Sequence, residues 1–489
     1  MVDTRTSRVV ACGWAALQLF SAAVGAAAEV PLADAAENND SAAIRALLEN
    51  KADVNAAQAD GMTAIHWASH HDDLSTVKLL LAAGADATAT NRYRVTPLAL
   101  ACTNGNRALV DVLLEAGADP NSSLPGGETV LMTAARTGRI GPVKVLLAYG
   151  ADVNARERRE QTALMWAAAE GHVEVIDALL KAGADFRTPL PSGFTPLFFA
   201  VREGRADAAF KLLDAGADVN EIMRPEQEDE NNGKATTALI LAVENGHFEF
   251  AAALLSAGAD PNSRPTGVTA LHAITWVRKP IRGDGNPPPT GSGNLTSLDL
   301  VRQLVTRGAD INIRLEQGAS ERGRFTTTGS TPFLLAARAS DVPLMKLLLE
   351  LGADPELANA DDCTPLLAAA GVGALGDGDE AAGADEEAVE AVRMLLDLGA
   401  DIDAVDNNAE TSMHGAAYQS RSALVQLLSE RGADISVWNR KNKAGWTPLM
   451  IARGHRPGNF RPAPDTIAAI ERVMRAEGIV PPKAIRHGN

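Results

Sequence analysis

The chain has 489 residues, enough for several ordinary domains or for one long array of repeats, and only 4% of them are aromatic. A composition poor in aromatic residues favours thin layers of short helices over a large aromatic-filled core. The formal net charge is −17, which argues against nucleic acid as a partner, because non-specific nucleic-acid binding needs a basic surface.

The N-terminal segment, 1–28, has the organisation of a secretory signal peptide. A short basic start is followed by an uncharged apolar stretch at 9–25 and by three alanines at 26–28, so we expect cleavage after Ala28. The alternative is an uncleaved anchor, because the apolar segment at 9–28 is just long enough to span a bilayer. We predict a secreted or periplasmic protein with no membrane segment after cleavage.

Beyond this segment the chain repeats one pattern, which is clearest at 162–185. Apolar residues recur there at the three- and four-residue spacing of a helical face, in two short segments. Thr162 is a suitable N-cap, and Gly171 and Gly183 suit the left-handed conformation in which helices end. The stretch therefore predicts two antiparallel helices whose shared apolar face needs neighbouring copies to cover it.

The spacing of two residue types indicates that such copies exist. A threonine begins each copy and an aspartate follows its second helix, and in the first half of the chain each recurs at one constant interval. The threonines are Thr63, Thr96, Thr129, Thr162 and Thr195. The aspartates are Asp53, Asp86, Asp119, Asp152, Asp185 and Asp218. Four copies start with Thr-Pro-Leu, as at Thr96. With this period of about 33 residues and this start, the chain closely resembles the ankyrin repeat family over about residues 30–478.

The resemblance implies an all-α ankyrin solenoid of about twelve helix-turn-helix repeats joined by β-hairpin loops. It also implies a concave face, lined by hairpin tips and first helices, that binds proteins. We divide the mature chain into regular repeats one to six at 29–220, repeats seven to twelve with loop insertions at 221–480, and a tail at 481–489. Cys102 and Cys363 fall in different repeats, so we expect no disulfide between them.

The second half of the array departs from the regular spacing. Extra residues occur at 276–297, between the two helices of one repeat, and at 371–384 in another. Shorter additions extend two hairpins and divide the last repeat. Long loops on a rigid array are either functional or tolerated, and their grouping in one half favours function.

Motifs for catalysis or for bound groups are weak. The glycines at 371–376 match a dinucleotide pattern but follow a helix rather than a strand, and the acidic residues after them lack the Gly and Glu of a calcium loop. His66 and His70 have the spacing of a zinc pair, although the family resemblance gives His66, His272 and His414 a structural role between repeats. Ser292 lies in a Pro/Gly loop where no base is expected beside it. We therefore predict no cofactor, no metal site and no enzymatic activity.

The hairpin tips and the ends of first helices carry the candidate binding residues. Arginine and aromatic side chains are enriched at interface hot spots, and they recur here at equivalent positions of repeats three to six. The candidates are Arg92, Tyr93, Arg94, Arg136, Arg156, Arg158, Arg159 and Arg202, together with Trp438 at a later tip. The alternative for each is a solvated loop tip with no partner.

Taken together, these features predict an extracytoplasmic scaffold that binds a protein through the concave face of the array. Two alternatives stay open. The insertions of the second half could carry a metal-dependent or enzymatic function, or the protein could be a purely structural component of the cell envelope.

Overall fold

A computed structural model of the chain describes residues 30–226, 234–279, 289–316, 325–373, 384–455 and 461–483. The predicted signal peptide at 1–28 lies outside these residues. So do the middle of the insertion at 276–297, most of the insertion at 371–384 and the end of the C-terminal tail.

The chain forms two compact units, residues 1–235 and 236–489. The first unit contains α1 (Pro31–Glu37), α2 (Ser41–Glu49), α3 (Ala64–His70), α4 (Leu74–Ala82), α5 (Pro97–Asn104), α6 (Arg107–Glu115), α7 (Val130–Thr137), α8 (Ile140–Ala148), α9 (Ala163–Glu170), α10 (Val173–Lys181), α11 (Pro196–Arg202), α12 (Ala206–Asp214) and strand β1 (Ile222–Met223).

The second unit begins with a two-residue strand and continues with helices alone over its described residues. Its elements are β2 (Thr236–Thr237), α13 (Ala238–Glu244), α14 (Phe248–Ser256), α15 (Ala270–Arg278), α16 (Ser297–Thr306), α17 (Pro332–Arg338), α18 (Val342–Glu350), α19 (Pro365–Ala370), α20 (Asp385–Asp397), α21 (Ser412–Tyr418), α22 (Ser422–Glu430), α23 (Ile435–Trp438), α24 (Pro448–Ala452) and α25 (Pro464–Ala476).

The helices form twelve consecutive pairs over the described residues, six in each unit, with α23 as an additional short helix. This confirms the predicted all-α array of about twelve helix-turn-helix repeats. The insertion at 276–297 runs from the end of α15 to the start of α16, and that at 371–384 separates α19 from α20. Both therefore lie between the two helices of one repeat, where they add length without interrupting a helix.

Threonine caps and left-handed glycines set the helix bounds. The Thr96 hydroxyl accepts from the Ala99 N–H at 3.0 Å, and a proline follows at the first helical position, where no N–H is needed. Gly171 ends α9 with a φ of +85°, as the sequence predicted. A side chain would be strained in that conformation, because its Cβ crowds the following carbonyl.

Packing within each unit follows one rule. First helices contact the first helices of adjacent repeats, as α7 and α11 do on either side of α9, and second helices contact second helices, as α8 and α12 do on either side of α10. Leu164, Ile176 and Leu179 are fully buried in these layers. At about 25 cal/mol per Å² of apolar surface removed from water, this burial is the main term that stabilises the array.

The connecting hairpins are held by tight turns and single bridges more than by strands. In the first unit, isolated antiparallel bridges join Ala57 to Thr63 and Ser123 to Thr129. At the tips, the N–H of one residue donates to a carbonyl four residues later, as from Asn91 to Val95 at 3.1 Å. These short closures direct the intervening side chains outward.

Two further observations concern the length of the helices and the state of the cysteines. Within the described part of the chain, no helix has both the length and the apolar character needed to cross a membrane. Cys102 and Cys363 are free and buried, and burial raises the pKa of both thiols, so they remain protonated at neutral pH.

Candidate protein-binding surface

The tip at 91–95 is shaped by the side chain of Asn91. Its Oδ1 accepts from the backbone N–H groups of Tyr93 and Val95, both at 2.9 Å, in an Asx turn. Arg94 then adopts a left-handed conformation with a φ of +60°. Arg92, Tyr93 and Arg94 are all exposed as a result, and the Tyr93 side chain retains 55% of its surface.

The tip at 157–161 has the same design with a different residue. Oε1 of Glu157 accepts from the N–H groups of Arg159 and Gln161 at 2.9 and 3.2 Å. Glu160 takes the left-handed position, with a φ of +64°. Arg158 and Arg159 therefore reach solvent on a backbone that the tip itself fixes.

Backbone hydrogen bonds join neighbouring tips in pairs, the tip at 58–62 with that at 91–95 and the tip at 124–128 with that at 157–161. The Arg92 N–H donates to the carbonyl of Asp60, and the Arg158 N–H donates to that of Gly126, both at 2.9 Å. A Cβ at Gly127 would lie 3.2 Å from the Cα of Glu157, so adjacent tips are in close backbone contact. Side chains on these tips are thereby held at fixed spacing.

Arginines of this unit stack on aromatic rings. For the three of these arginines that are candidate binding residues, the guanidinium carbon lies between 5.1 and 5.5 Å from a ring centroid, within the range of a cation–π interaction. We call this set the Arg–aromatic row: Arg92 over Tyr93, Arg136 over Trp166, and Arg202 over Phe194 and Phe199.

Carboxylates accompany the arginines. Glu128 lies 3.7 Å from Arg136, Glu160 lies 3.4 Å from Arg156, and Glu203 lies 2.9 Å from Arg202. All six side chains keep between 24% and 53% of their surface exposed, so each pair contributes little to stability. The surface therefore alternates in charge and is not uniformly basic.

A shallow recess lies beside the row. Its cavity volume is about 10 Å³, room for roughly one water. Mostly small residues line it between Arg94 and Glu128, and the complete lining is Arg94, Thr96, Ala99, Ser122, Ser123, Leu124, Glu128, Val130 and Thr133.

Trp438 does not belong to an exposed tip, and its predicted role is corrected. Oδ1 of Asp434 accepts from the Ser436 N–H at 2.7 Å and starts the short helix α23. Trp438 ends that helix with only 2% of its surface exposed, so a partner cannot reach it. The eight arginine and tyrosine candidates are all at least partly exposed, and their role in binding stays a prediction.

Sequence reasoning predicted Tyr93 but missed the other aromatic residues of the row, Trp166, Phe194 and Phe199. Trp166 and Phe199 lie one repeat apart, at the same position of consecutive first helices, and Trp67 occupies that position in α3. That register was available in the sequence. The stacking itself was not, because Arg136 and Trp166 belong to different repeats and meet only when α7 packs on α9.

His66 has the structural role that the resemblance implied. Its Nδ1 accepts from the Thr63 N–H at 3.2 Å, and its Nε2 lies 3.1 Å from the Val95 carbonyl of the next repeat. Burial lowers the pKa of His66, which keeps the ring neutral. Both nitrogens are therefore occupied. In the described ranges, no cluster of three or more His, Cys, Asp or Glu side chains is suited to hold a metal.

The expectation that Ser292 lacks a neighbouring base is wrong. Nδ1 of His247 lies 3.0 Å from both the Oγ and the backbone nitrogen of Ser292. A backbone N–H can only donate, so Nδ1 is the acceptor and carries no proton. The contact joins the insertion to the start of α14, where the Asn294 N–H also donates to Glu249 at 2.8 Å.

The other end of this insertion is anchored by charge. Arg278, the last residue of α15, donates from Nε to Asp341 at 2.6 Å, and the Asp341 side chain is 1% exposed. Lys279 follows with a 2.8 Å ion pair to Glu387. These contacts give the described ends of the insertion a definite position in the second unit.

Comparison with known proteins agrees with this architecture. The family model described as ankyrin repeats in three copies matches residues 32–124, 93–157, 131–223 and 380–458, more than half of the chain. The single ankyrin repeat model matches 236–264 and 328–360.

Individual relatives are similar over shorter stretches. Ankyrin repeat and SOCS box protein 16 is 34% identical over 177 residues in Mus musculus and 33% over 183 residues in Homo sapiens, each match covering 32% of this chain and 37% of that protein. Palmitoyltransferase AKR1 of Lachancea kluyveri is 30% identical over 152 residues, 31% of this chain and 18% of that protein. The chain thus covers well under half the length of these relatives.

Proposed function

Because the chain belongs to the ankyrin repeat family, whose repeats form protein–protein interaction scaffolds, we propose that it binds a protein partner through the first unit. The binding surface consists of the Arg–aromatic row and the tips at 91–95 and 157–161. In this family, tips and first helices line the concave face. The observation that carries the proposal is the stacking of partly exposed arginines on aromatic rings within repeats three to six.

The physical basis is preorganisation. Arginine and aromatic side chains supply most of the energy at protein interfaces, and immobilising a flexible side chain costs about 0.5–1.5 kcal/mol on binding. A guanidinium already stacked on a ring has lost part of that freedom before the partner arrives. Tips held by Asn91 and Glu157 lower the cost further, because their backbone is fixed in the free protein.

In this proposal the scaffold acts by reversible binding and without catalysis. A relative is named a palmitoyltransferase, but the match extends over only 18% of that protein. What supports a scaffold is that the candidate residues are arginines and aromatics on an open surface. The contact of Ser292 with His247 has the geometry of an anchor for the insertion, since the backbone N–H shares the same acceptor.

We further propose that the scaffold works outside the cytoplasm. The support is the sequence of residues 1–28, with its basic start, apolar stretch and terminal alanines. N-terminal sequencing of the protein recovered from cell fractions tests this. A mature chain that begins at Glu29 in an extracytoplasmic fraction is expected, and an intact N-terminus in the cytoplasm would contradict it.

The binding proposal is tested by removing the tip side chains together. The tip variant carries five substitutions: Arg92→Gln, Tyr93→Ser, Arg156→Gln, Arg158→Gln and Arg159→Gln. We expect it to keep the circular dichroism spectrum of the wild type. We also expect it to lose the partner that the wild-type protein captures from an envelope or culture extract. Mass spectrometry identifies what is lost.

A control matched in charge changes four exposed cations on second helices, Arg45→Gln, Lys78→Gln, Arg107→Gln and Lys144→Gln. This control is expected to capture the same partner as the wild type. If the tip variant also captures it in full, or if the control loses it equally, the tips are not the binding surface.

A further inference from the structure

We infer that Arg136 is the group on this surface that recognises a carboxylate of the partner, and that Glu128 competes with that carboxylate in the free protein. The inference rests on the proposed function and specifies it: the partner segment is acidic and places an Asp or Glu side chain beside Trp166. Glu128 is then an internal counter-ion that the partner displaces.

The contact between Arg136 and Glu128 is close enough for attraction but too long for a hydrogen bond. Nη2 and Oε1 are 3.7 Å apart, whereas a charge-assisted N–H···O bond is about 2.7–2.9 Å long. The same Oε1 already accepts from the Thr133 hydroxyl at 3.1 Å. Glu128 therefore neutralises Arg136 only in part.

Arg136 has donors to offer a ligand. Its Nε has no hydrogen-bond partner among the described residues but is buried, so the terminal nitrogens of the guanidinium are the donors that a ligand can reach. Its guanidinium carbon lies 5.5 Å from the centre of the Trp166 ring, and the side chain is 34% exposed. Stacking occupies the flat face of a guanidinium. The N–H groups point outward in the plane of the group, so they stay available for two parallel hydrogen bonds to a carboxylate.

A small recess adjoins the contact between Arg136 and Glu128. Glu128 and Thr133 line the shallow recess described above, and Arg94 lines its other edge. Oγ of Ser122, also in the lining, is buried without a hydrogen-bond partner in the described part of the chain. Arg136 lies outside this lining and is linked to it through Glu128. A carboxylate that takes the place of Glu128 is attracted by Arg136 and lies in the recess that Arg94 lines, and these two charges compensate the loss of its water shell.

Charge distribution favours an acidic protein over a nucleic acid. A phosphodiester chain presents a charge at every nucleotide and needs a continuous basic track. Here Glu128, Glu160 and Glu203 alternate with the arginines along the surface. A carboxylate on a peptide needs only one such gap, which the site beside Arg136 supplies.

The test uses the full-length mature protein and a fluorescein-labelled peptide of alternating Glu and Ala as the probe. We expect saturable binding by fluorescence anisotropy at about 0.1 M salt, where the Debye length is about 10 Å. Arg136→Gln removes a charged hydrogen-bond donor and should weaken peptide binding about tenfold. Arg136→Lys should also weaken peptide binding, because lysine keeps the positive charge but lacks the planar guanidinium that forms two hydrogen bonds at once. Glu128→Gln should tighten binding about threefold or more, since it removes the competing charge.

Two controls separate this effect from net charge. Glu174→Gln on α10 and Arg45→Gln on α2 make the same charge changes on exposed second-helix positions. We expect either to change the affinity by less than about twofold, because exposed charges more than about 10 Å away are screened. A Glu174→Gln variant that tightens binding as much as Glu128→Gln would overturn the inference.

The remaining outcomes distinguish this inference from the broader proposal. If the tip variant loses its protein partner while the Glu–Ala peptide does not bind the wild type, the scaffold proposal stands and the carboxylate site is wrong. If oligouridylate of equal length binds and the peptide does not, the site recognises phosphate and the inference fails. Tighter peptide binding by Glu128→Gln, with weaker binding by Arg136→Gln, supports it.

Discussion

Nε2 of His272 lies 3.3 Å from the backbone carbonyl oxygen of Ser330, so this imidazole joins two consecutive repeats. Its other nitrogen, Nδ1, accepts from the Thr269 N–H at 3.2 Å. A nitrogen that accepts an N–H bond carries no proton, so the proton of the neutral ring is on Nε2. His414 makes the same contacts with Thr411 and with the next hairpin. The bond to Nδ1 depends on a neutral ring, because a protonated Nδ1 can no longer accept.

The stability of the second unit should therefore fall in mild acid. Burial lowers the pKa of His272 and of His414 from 6.5 to about 4. As the pH falls, the unfolded chain takes up these protons first, so the stabilisation is complete above about pH 6.5 and is lost toward pH 4. The loss is about 3 kcal/mol for each histidine. Urea unfolding followed across this pH range measures it.

His272→Met is the control for this pH dependence. Methionine occupies the equivalent position at Met132 and Met165, so the size and burial of the side chain are already tolerated in this array. We expect about 1–3 kcal/mol less stability at pH 7, from the lost hydrogen bonds, and a shallower decline between pH 6.5 and 4. An unchanged slope would mean that other groups cause the acid sensitivity.

Much of this scaffold was predictable because local chemistry repeats. A threonine cap, a left-handed glycine and an apolar spacing of three and four need only near neighbours, as at Thr162 and Gly171, and the constant period carries them through the first half of the chain. His66 was predictable in the same way, since its partner Thr63 is three residues away.

The parts that were missed depend on contacts between distant residues. His247 and Ser292 are 45 residues apart and meet only because the insertion folds back on α14. Trp438 was misplaced for a different reason. A regular hairpin would expose it, but the cap at Asp434 makes a helical turn there, and that turn buries the ring.

The left-handed tip position provides a test that separates folding from binding. Arg94 occupies it with a φ of +60°, where adjacent repeats have Gly61 and Gly127. The left-handed conformation costs a non-glycine residue about 1–2 kcal/mol, and glycine loses about 0.5–1 kcal/mol more entropy on folding. Arg94→Gly should therefore be neutral or stabilising by up to about 1 kcal/mol in urea unfolding, while weakening partner capture.

Gly127→Ala is the reciprocal change and should have the opposite sign. Its φ is +84°, and a Cβ there would lie 3.2 Å from the Cα of Glu157 in the next tip. We expect a loss of about 1–2 kcal/mol. Equal effects of the two substitutions would show that the tip backbone is not fixed as described.

The anchor of the insertion predicts a difference between two single substitutions. Ser292→Ala removes the hydroxyl but keeps the backbone N–H that donates to His247, whereas His247→Ala removes the acceptor for both groups. Limited proteolysis should therefore cut within 289–296 faster in His247→Ala than in the wild type and little faster in Ser292→Ala. Equal cleavage of the two variants would contradict a backbone anchor.

Leu179 tests whether stability is distributed repeat by repeat. It is fully buried in α10 between α8 and α12, so Leu179→Ala should cost about 2–5 kcal/mol through lost contacts and a cavity. Leu180, its neighbour on the same helix, is only partly buried, and Leu180→Ala should cost clearly less.

Hydrogen exchange shows where that cost falls. In a repeat array each unit of structure contacts only its neighbours, so Leu179→Ala should lower protection in α8, α10 and α12 before it affects α2 or α4 of the same unit. Protection that falls equally in all these helices would show that the first unit opens as a single cooperative block. In that case nearest-neighbour contacts would not describe its energetics.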